Sequence, residues 1–252
     1  MIHCYFMVKI AMRWIYLSPH LDDASLSAGG WIYDQTQAGN AVEIWTIMCG
    51  FPPTKALSPF AQYLHAQWGM DSARQVVSDR RVEDKNSAAI LGAKARHFNF
   101  LDCIYRQDKA GNWLYVDIYT PPLKQENYLP AQIVAAISAR LKPDDKLVCQ
   151  LGIGKHIDHV TVRLAAELLK RPLHYVADIP YLFNFPEHLK PSTVGMKKKV
   201  ERVSRAGLQA WKEAILAYES QMSMLFKNHR AMRGQIHQHF LKFGGQAFWE
   251  KA

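Results

Sequence analysis

A histidine and two adjacent aspartates follow the first apolar stretch of the chain. The segment YLSPHLDDASLSAGG contains His20, Asp22 and Asp23. Ionised carboxylates are costly to remove from water unless a positive charge lies beside them, and the nearest basic residues along the chain are Arg13 and Lys55. A bound metal ion would supply the missing charge. An imidazole and a carboxylate spaced like His20 and Asp23 could converge on one ion.

A second polar cluster follows a later apolar run. The run KLVCQLGI leads into GKHIDHVTVR, which contains His156, Asp158 and His159. Either cluster alone could be a simple helix cap, but two clusters that each leave an apolar run and open a helix favour a metal site. Two histidines and one aspartate leave a fourth position open for water, which is typical of catalytic rather than structural zinc.

The hydrophobic pattern predicts alternating strands and helices that place both clusters at one sheet edge. We expect strands at 13–17, 41–49, 95–101, 146–151 and 173–179, helices at 22–37, 60–68, 72–91, 130–141, 159–171 and 208–226, and a long loop at 102–127. This alternation predicts an α/β fold with a largely parallel sheet and helices on both faces. Ligands of such sheets bind beyond the carboxyl ends of the strands, where both clusters lie.

Length and composition fit one globular domain. The 252 residues are 49% hydrophobic and 21% charged, which is ordinary for a globular protein. We expect a single domain over 1–252, with an irregular N-terminal extension at 1–12. No apolar run is long enough to span a bilayer, and the first residues lack the pattern of a signal peptide. Four widely spaced cysteines favour buried reduced thiols and a cytoplasmic protein. A homo-oligomer stays open.

The positive charge is concentrated near the C-terminus. The net charge is +9, and the last 57 residues hold eleven Lys or Arg and four Glu, a net of +7. We expect this basic part, 196–252, to be helical. Such a part could meet nucleic acid, an anionic membrane surface or a phosphorylated substrate. Because no nucleic-acid-binding motif accompanies the charge, no nucleic-acid partner is expected.

Four segments resemble, in order, the signatures of the PIG-L/LmbE-like zinc-dependent deacetylases. SPHLDDASLSAGG resembles the family's [AS]-H-P-D-D-E-x-L-x-x-G-G motif, and HIDH resembles its H-P-D-H motif. Between them, RRVEDKNSAAILGA and FLDCIYR resemble the family's R-x-x-E…A-A-x-L-G segment and the strand after it. The resemblance implies a Rossmann-like fold and removal of acetyl groups from N-acetylglucosamine-type sugars.

The resemblance also implies the ligands of the metal. His20, Asp23 and His159 would bind one Zn²⁺ per chain, although another divalent ion could take its place. Asp22 would be the general base, since it stands beside a ligand without being one.

Further roles are implied for residues around this centre. His156 would stabilise the oxyanion or protonate the amine, and Asp158 would orient a histidine. Arg80 and Asp102 would hold substrate hydroxyls. Lys155 stands beside His156, and together with the basic C-terminal part it predicts an anionic substrate or carrier.

The leading interpretation is therefore a zinc-dependent hydrolase that removes an acetyl or other acyl group from the amide nitrogen of an N-acetylated sugar or sugar-bearing metabolite. The alternatives are an esterase or hydrolase acting on another acylated small molecule, a nucleic-acid-binding protein that uses the basic C-terminal part, and a structural metal protein. Asp22 argues against the last of these, because a structural site needs no spare carboxylate.

Overall fold

The computed structural model describes residues 12–251, and its seven strands form one sheet. The strands are β1 (Arg13–Ser18), β2 (Ala41–Met48), β3 (Lys94–Phe100), β4 (Lys146–Gln150), β5 (Leu173–Val176), β6 (Met196–Glu201) and β7 (Gln246–Lys251). Their order across the sheet is β3-β2-β1-β4-β5-β7-β6. β1 to β5 are parallel, while β7 runs antiparallel to both β5 and β6. The five predicted strands and the mostly parallel sheet are confirmed.

Helices cover both faces of the sheet. Within the described residues they are α1 (Asp23–Gln37), α2 (Pro59–Gln67), α3 (Ala73–Ile90), α4 (Leu129–Ser138), α5 (Ile157–Leu168), α6 (Tyr181–Asn184), α7 (Leu189–Ser192), α8 (Arg205–Leu216), α9 (Glu219–Leu225) and α10 (His229–Phe243). Buried side chains of α4 and α5 pack on the face that carries Leu17 and Leu147. Those of α1, α3 and α8 pack on the face that carries Tyr16 and Val148. The predicted Rossmann-like α/β class is confirmed.

The neighbouring strands β1 and β4 lie at the centre of the sheet. Leu17 of β1 is opposite Trp45 of β2 on one side and Cys149 of β4 on the other. The chain therefore continues from β1 toward one edge of the sheet and from β4 toward the other. Such a switch point opens a crevice at the carboxyl ends of the strands, and the segments that enter it carry the two predicted polar clusters.

The C-terminal half of the fold is anchored on α1 through glycines. A Cβ atom built on Gly29 would lie 2.6 Å from Cδ1 of Trp211, and one built on Gly30 would lie 2.8 Å from Cγ1 of Val203. The indole Nε1 of Trp211 donates a hydrogen bond of 3.0 Å to the carbonyl oxygen of Leu26. The absence of side chains on Gly29 and Gly30 thus lets α8 approach α1 closely, as the small residues of SLSAGG permit.

The predicted helical character of 196–252 is wrong in part, because β6 and β7 begin and end this region. The run Lys197–Lys199 lies on β6 at the edge of the sheet, where all three lysines are exposed. It shows no alternation of polar and apolar residues that would predict a strand. Exposed lysines suit an edge strand, since they oppose pairing with another chain.

The predicted helix 208–226 is also wrong in its extent, because it is interrupted between α8 and α9. The Tyr218 hydroxyl donates a hydrogen bond of 2.8 Å to Asp84 Oδ1. The backbone N–H and the hydroxyl of Ser220 donate to the Glu83 carboxylate over 2.8 and 2.6 Å. These contacts with α3 fix the turn between α8 and α9. No local sequence pattern predicts them.

Several smaller expectations can be compared with the structure. Residues 102–127 form a long loop with short 3₁₀ turns at Cys103–Tyr105 and Lys124–Glu126. Cys49, Cys103 and Cys149 are buried free thiols, whereas Cys4 and most of the expected N-terminal extension lie outside the described residues. Over 12–251, no helix combines the length and apolarity needed to cross a membrane. Cytoplasmic location and oligomeric state stay predictions.

Candidate metal and active site

One carboxylate oxygen lies between two imidazoles at the carboxyl ends of β1 and β4. Asp23 Oδ2 is 3.3 Å from Nδ1 of His20 and 3.3 Å from Nε2 of His159. Asp23 occupies the first turn of α1, and His159 occupies the first turn of α5. The same oxygen accepts a hydrogen bond of 2.8 Å from the backbone N–H of His20. The three predicted metal ligands therefore converge on one point.

A second carboxylate fixes each of these imidazoles from behind. His20 Nε2 lies 3.0 Å from Asp158 Oδ2, and His159 Nδ1 lies 2.8 Å from Asp178 Oδ1. A carboxylate accepts only, so these bonds assign the proton to Nε2 in His20 and to Nδ1 in His159. With these tautomers, the remaining nitrogen of each ring, on the side of Asp23, would offer its lone pair to a bound metal ion. Carboxylates hold histidine ligands of metals in the same way.

The two distances from Asp23 match the spacing of ligands around a tetrahedral metal ion. Ligand atoms bound at 2.0–2.1 Å and separated by the tetrahedral angle lie about 3.4 Å apart, close to both distances measured from Asp23. His159 Nε2 is buried and has no hydrogen-bond partner, which is costly unless a further group satisfies it. His20, Asp23 and His159 stay the predicted ligand set, and a tetrahedral ion bound by them would have one ligand position left for water or substrate.

The electrostatics of the site also suit a cation. Burial alone would lower the pKa of His20, but Asp102, Asp158 and Asp23 raise it well above its usual value. Burial also lowers the pKa of His159, but Asp23 and then Asp178 raise it above its usual value. Because the surroundings favour positive charge at both rings, they would also favour a divalent ion.

His156 also lies close to this centre but differs from the other two histidines. The ring nitrogens of His20, His156 and His159 are near enough together to hold an ion. However, His156 Nδ1 accepts a hydrogen bond of 3.1 Å from the backbone N–H of Asp158, so the proton of a neutral ring is on Nε2. Burial, then His20 and His159, lower the pKa of His156 well below its usual value. A neutral His156 therefore offers an N–H from Nε2, and its predicted role in stabilising the oxyanion or protonating the amine stays a prediction.

The Asp22 carboxylate is paired with an arginine and, among the described contacts, with none of the three histidines. It lies at the N-terminus of α1, with its Oδ2 3.5 Å from the Arg80 guanidinium. Burial, followed by the Asp23 carboxylate, raises the pKa of Asp22 to about 7. The Arg80 guanidinium also donates to the Leu21 carbonyl over 3.2 Å and lies over the Trp68 ring at 5.1 Å. Arg80 is therefore held between α1 and α2 at the border of the site.

Asp158 is buried behind the histidines. Its Oδ2 accepts hydrogen bonds from His20 and from the backbone N–H of Cys103, and its Oδ1 is 2.7 Å from the Arg106 guanidinium. Arg106 also pairs with Glu126 at 3.0 Å. Asp158 is therefore fully buried against His20, Cys103 and Arg106 and is not among the residues that line the described cavity, which is consistent with the predicted role of orienting a histidine.

The site opens into a cavity of about 480 Å³. Its inner end, here called the polar floor, carries the ionisable side chains His20, Asp22, Asp23, Arg80, Asp102, His156 and His159. Its sides, here called the apolar wall, carry Phe60, Tyr63, Leu64, Trp68, Ile118, Tyr119, Tyr181, Met224 and Leu225. A cavity of this size is in the range that encloses small organic ligands.

Of the predicted substrate-binding residues, Asp102 lines the cavity and Lys155 does not. Lys155 is exposed in the turn before α5 and does not line the described cavity. The backbone φ of Lys155 is 61°, in the left-handed region that is common in tight turns. Asp102 lines the floor, but its Oδ1 caps the 3₁₀ turn through the Ile104 N–H at 3.1 Å, which leaves Oδ2 toward the cavity side. Within 12–251, the basic residues beyond 196 are not among those lining the cavity.

The sequence interpretation missed Asp178 and Arg106. Asp178 follows β5 in the segment YVADI, so a carboxylate after an apolar strand was an available signal, but no histidine accompanies it. Asp178 Oδ2 also accepts the backbone N–H of Ile153 over 2.9 Å, which ties it to the segment before His156. Arg106 lies in the long loop after β3, where nothing in the sequence indicates which buried charge it would meet.

The chain matches the family model PIG-L, GlcNAc-PI de-N-acetylase, over residues 15–169. The protein therefore belongs to the PIG-L family of de-N-acetylases. The predicted class, a metal-dependent hydrolase of N-acetyl amides, is confirmed by this membership and by deacetylase relatives.

Three relatives illustrate the resemblance. The chain is 24% identical over 230 residues to 2'-N-acetylparomamine deacetylase of Niallia circulans, covering 84% of this chain and 82% of that protein. It resembles the deacetylase–bog complex from the teicoplanin biosynthesis pathway, with 27% identity, a TM-score of 0.83 and coverage of 95% and 97% of the two chains. The zinc-inhibited form of teicoplanin deacetylase Orf2 gives 26% identity and a TM-score of 0.80 at the same coverage.

Proposed function

We propose that the protein is a zinc-dependent N-deacetylase that hydrolyses the acetamide of an N-acetylated amino sugar. The observation that carries the proposal is the pair of imidazoles whose free nitrogens both lie 3.3 Å from Asp23 Oδ2. His20, Asp23 and His159 would hold the ion. When bound, such an ion activates water and polarises the amide carbonyl.

Asp22 and His156 would perform the proton transfer and the charge stabilisation. Asp22 lies beside the ligand Asp23, and among the described side chains it has only Arg80 as a hydrogen-bond partner. It would accept a proton from the attacking water and return it to the departing amine. His156, with its proton on Nε2, would donate a hydrogen bond to the oxyanion that forms on the carbonyl oxygen.

The remaining residues of the polar floor would bind and position the substrate. Arg80 and Asp102 would form hydrogen bonds with sugar hydroxyls at the border of the floor. Asp158 and Asp178 would keep the two histidine ligands in their tautomers. A sugar substrate is supported by the relatives, which deacetylate 2'-N-acetylparomamine or act in teicoplanin biosynthesis. The anionic substrate expected from Lys155 stays a prediction.

The test measures the acetate that the protein releases from a panel of N-acetylglucosamine glycosides. Protein stripped with a chelator would be inactive, and one equivalent of zinc, cobalt or manganese added separately would identify the ion. Acetate and free amine should appear in equal amounts. Each glycoside is paired with its 2-O-acetyl counterpart, because an esterase would cleave only the ester. A metal-loaded protein that cleaves neither would contradict the proposal.

A further inference from the structure

Polar and apolar side chains are separated within the cavity. The hydrogen-bonding groups that a sugar requires are concentrated on the polar floor. Beyond it, the cavity meets the carboxylate of Asp117 and the amide of Gln221. Asp117 Oδ1 already accepts the backbone N–H groups of Tyr119 and Thr120, both at 2.7 Å, and Gln221 Nε2 donates to Ser220 over 2.9 Å. Outside the floor, the remaining hydrogen-bonding groups are single ones, such as Trp68 Nε1 and the tyrosine hydroxyls, set among apolar and aromatic side chains.

The apolar wall begins directly beside the reacting centre. The Tyr181 ring lies 5.2 Å from the His159 ring between centroids, and the Arg80 guanidinium lies 5.1 Å from the centre of the Trp68 ring. Gly154 makes the approach of Tyr181 possible, since a Cβ there would lie 2.4 Å from its ring. A group attached next to the sugar ring would thus meet apolar side chains at once.

The outer part of the wall is exposed to solvent. Tyr63 is 61% exposed, Tyr119 50% and Met224 42%, and they come from α2, the long loop and α9. Convergence of exposed apolar side chains from three separate segments beside a cavity is typical of a ligand surface. Aromatic rings alone would also suit a second sugar ring. Aliphatic side chains such as Leu64, Ile118 and Leu225 offer a sugar hydroxyl no partner, and burying it there is unfavourable.

We infer that the substrate carries an apolar aryl or alkyl group beside its N-acylated sugar, and that the apolar wall binds this group. The inference rests on the proposed deacetylase function. The apolar group could be the aglycone of the sugar or the acyl chain on its nitrogen. In both cases the wall recognises the same chemistry, by removing apolar surface from water.

The experiment compares kcat/KM of the zinc-loaded enzyme for four compounds. They are the methyl glycoside of N-acetylglucosamine, its naphthyl glycoside, the methyl glycoside of N-octanoylglucosamine, and N,N'-diacetylchitobiose. We expect at least tenfold higher kcat/KM for the naphthyl or the octanoyl compound than for the methyl glycoside, mainly through a lower KM. A gain with naphthyl assigns the wall to the aglycone, and a gain with octanoyl assigns it to the acyl chain.

Variants then connect the preference to the wall. Tyr63→Ser and Met224→Ser should each lower the ratio of kcat/KM between the preferred apolar compound and the methyl glycoside by at least fivefold. Tyr128→Ser is the matched control, because Tyr128 is 55% exposed but lies outside the cavity lining, and its ratio should not change. Equal kcat/KM for all compounds, or a preference for chitobiose, would overturn the inference while leaving the deacetylase intact. Hydrolysis of no compound would instead contradict the proposed function.

Discussion

The polar floor and the apolar wall come from different parts of the chain. Every residue of the floor lies between positions 20 and 159, inside the stretch matched by the family model. The wall draws on α2 and the long loop, which lie inside that stretch, but also on Tyr181, Met224 and Leu225, which lie beyond it. If both proposals hold, the floor serves mainly the reaction and the wall contributes most to the choice of substrate. Changes to the floor should therefore affect every substrate alike, whereas changes to the wall should affect some substrates more than others.

The largest effect should come from Asp22→Asn, which removes the proposed base and keeps the shape of the floor. We expect turnover to fall by about 10²–10⁴, the usual contribution of general acid–base catalysis, for polar and apolar substrates equally. Single-turnover acetate release measures the rate, and elemental analysis should show unchanged metal content. Loss of the metal would instead make Asp22 a ligand, and a rate near that of the wild type would exclude it as the base.

A smaller effect is expected from Asp178→Asn, which acts on the floor through His159. Replacing a carboxylate that orients a metal-binding histidine typically costs about 10–100-fold in metal affinity. Competition with a chromophoric chelator measures this affinity without reference to activity. Thermal unfolding of the metal-free protein serves as the control for folding. Unchanged affinity in a folded variant would show that Asp178 has no part in positioning His159.

Gly29→Ala should change neither the floor nor the wall directly. It should instead weaken the packing of α8 against α1, and so lower the stability of the fold. The new methyl group would meet Trp211, and overpacking of this kind costs about 1–3 kcal/mol, partly offset by a gain in helix propensity of about 1 kcal/mol. We expect a net loss of up to about 2 kcal/mol in the free energy of unfolding, measured with urea. In the control Gly234→Ala, the methyl group meets nothing within 4 Å, and a gain of about 0.4–1 kcal/mol is expected. Equal effects at the two positions would contradict the close approach of α8 to α1.

The smallest effect should come from Lys155→Ala. Because this side chain is exposed and does not line the described cavity, we expect kcat/KM to change by less than about twofold for a neutral sugar, as for other exposed charges. A phosphorylated N-acetyl sugar measured at low and moderate salt is the informative comparison. A salt-dependent loss confined to the phosphorylated substrate would restore the original prediction that Lys155 attracts anions.

The residues of the polar floor were easier to predict from the sequence than those of the apolar wall. His20, Asp23 and His159 stand in short segments that directly follow buried strands, so local sequence and the rule for sheet edges were enough to bring them together. Asp178 obeys the same rule, but a single carboxylate after a strand has many ordinary explanations. Met224 belongs to no pattern at all, since its place in the cavity depends on the turn that Tyr218 makes against α3.

The strands show the same limit. β1 to β5 alternate with helices along the chain and were predicted, whereas β6 and β7 are strands because they pair with each other and β7 also pairs with β5. Pairing of this kind is a long-range property, and the exposed lysines of β6 give no periodic signal. The helix expected across α8 and α9 had a continuous apolar face, but the hydrogen bonds of Tyr218 and Ser220 with α3 divide it.

The contact between Gly29 and Trp211 has a consequence for exchanging segments between relatives. The helix that holds Asp23 is supported by α8, and the chain that leaves α8 enters α9, which contributes Met224 to the cavity. A chimera joined before residue 205 would replace the support of α1 together with the wall, and both functions would change at once. A junction between α8 and α9 would retain the native support and transplant only the wall segment. A chimera joined at the turn around Tyr218 is therefore expected to change the substrate specificity of this hydrolase while it keeps the support of α1.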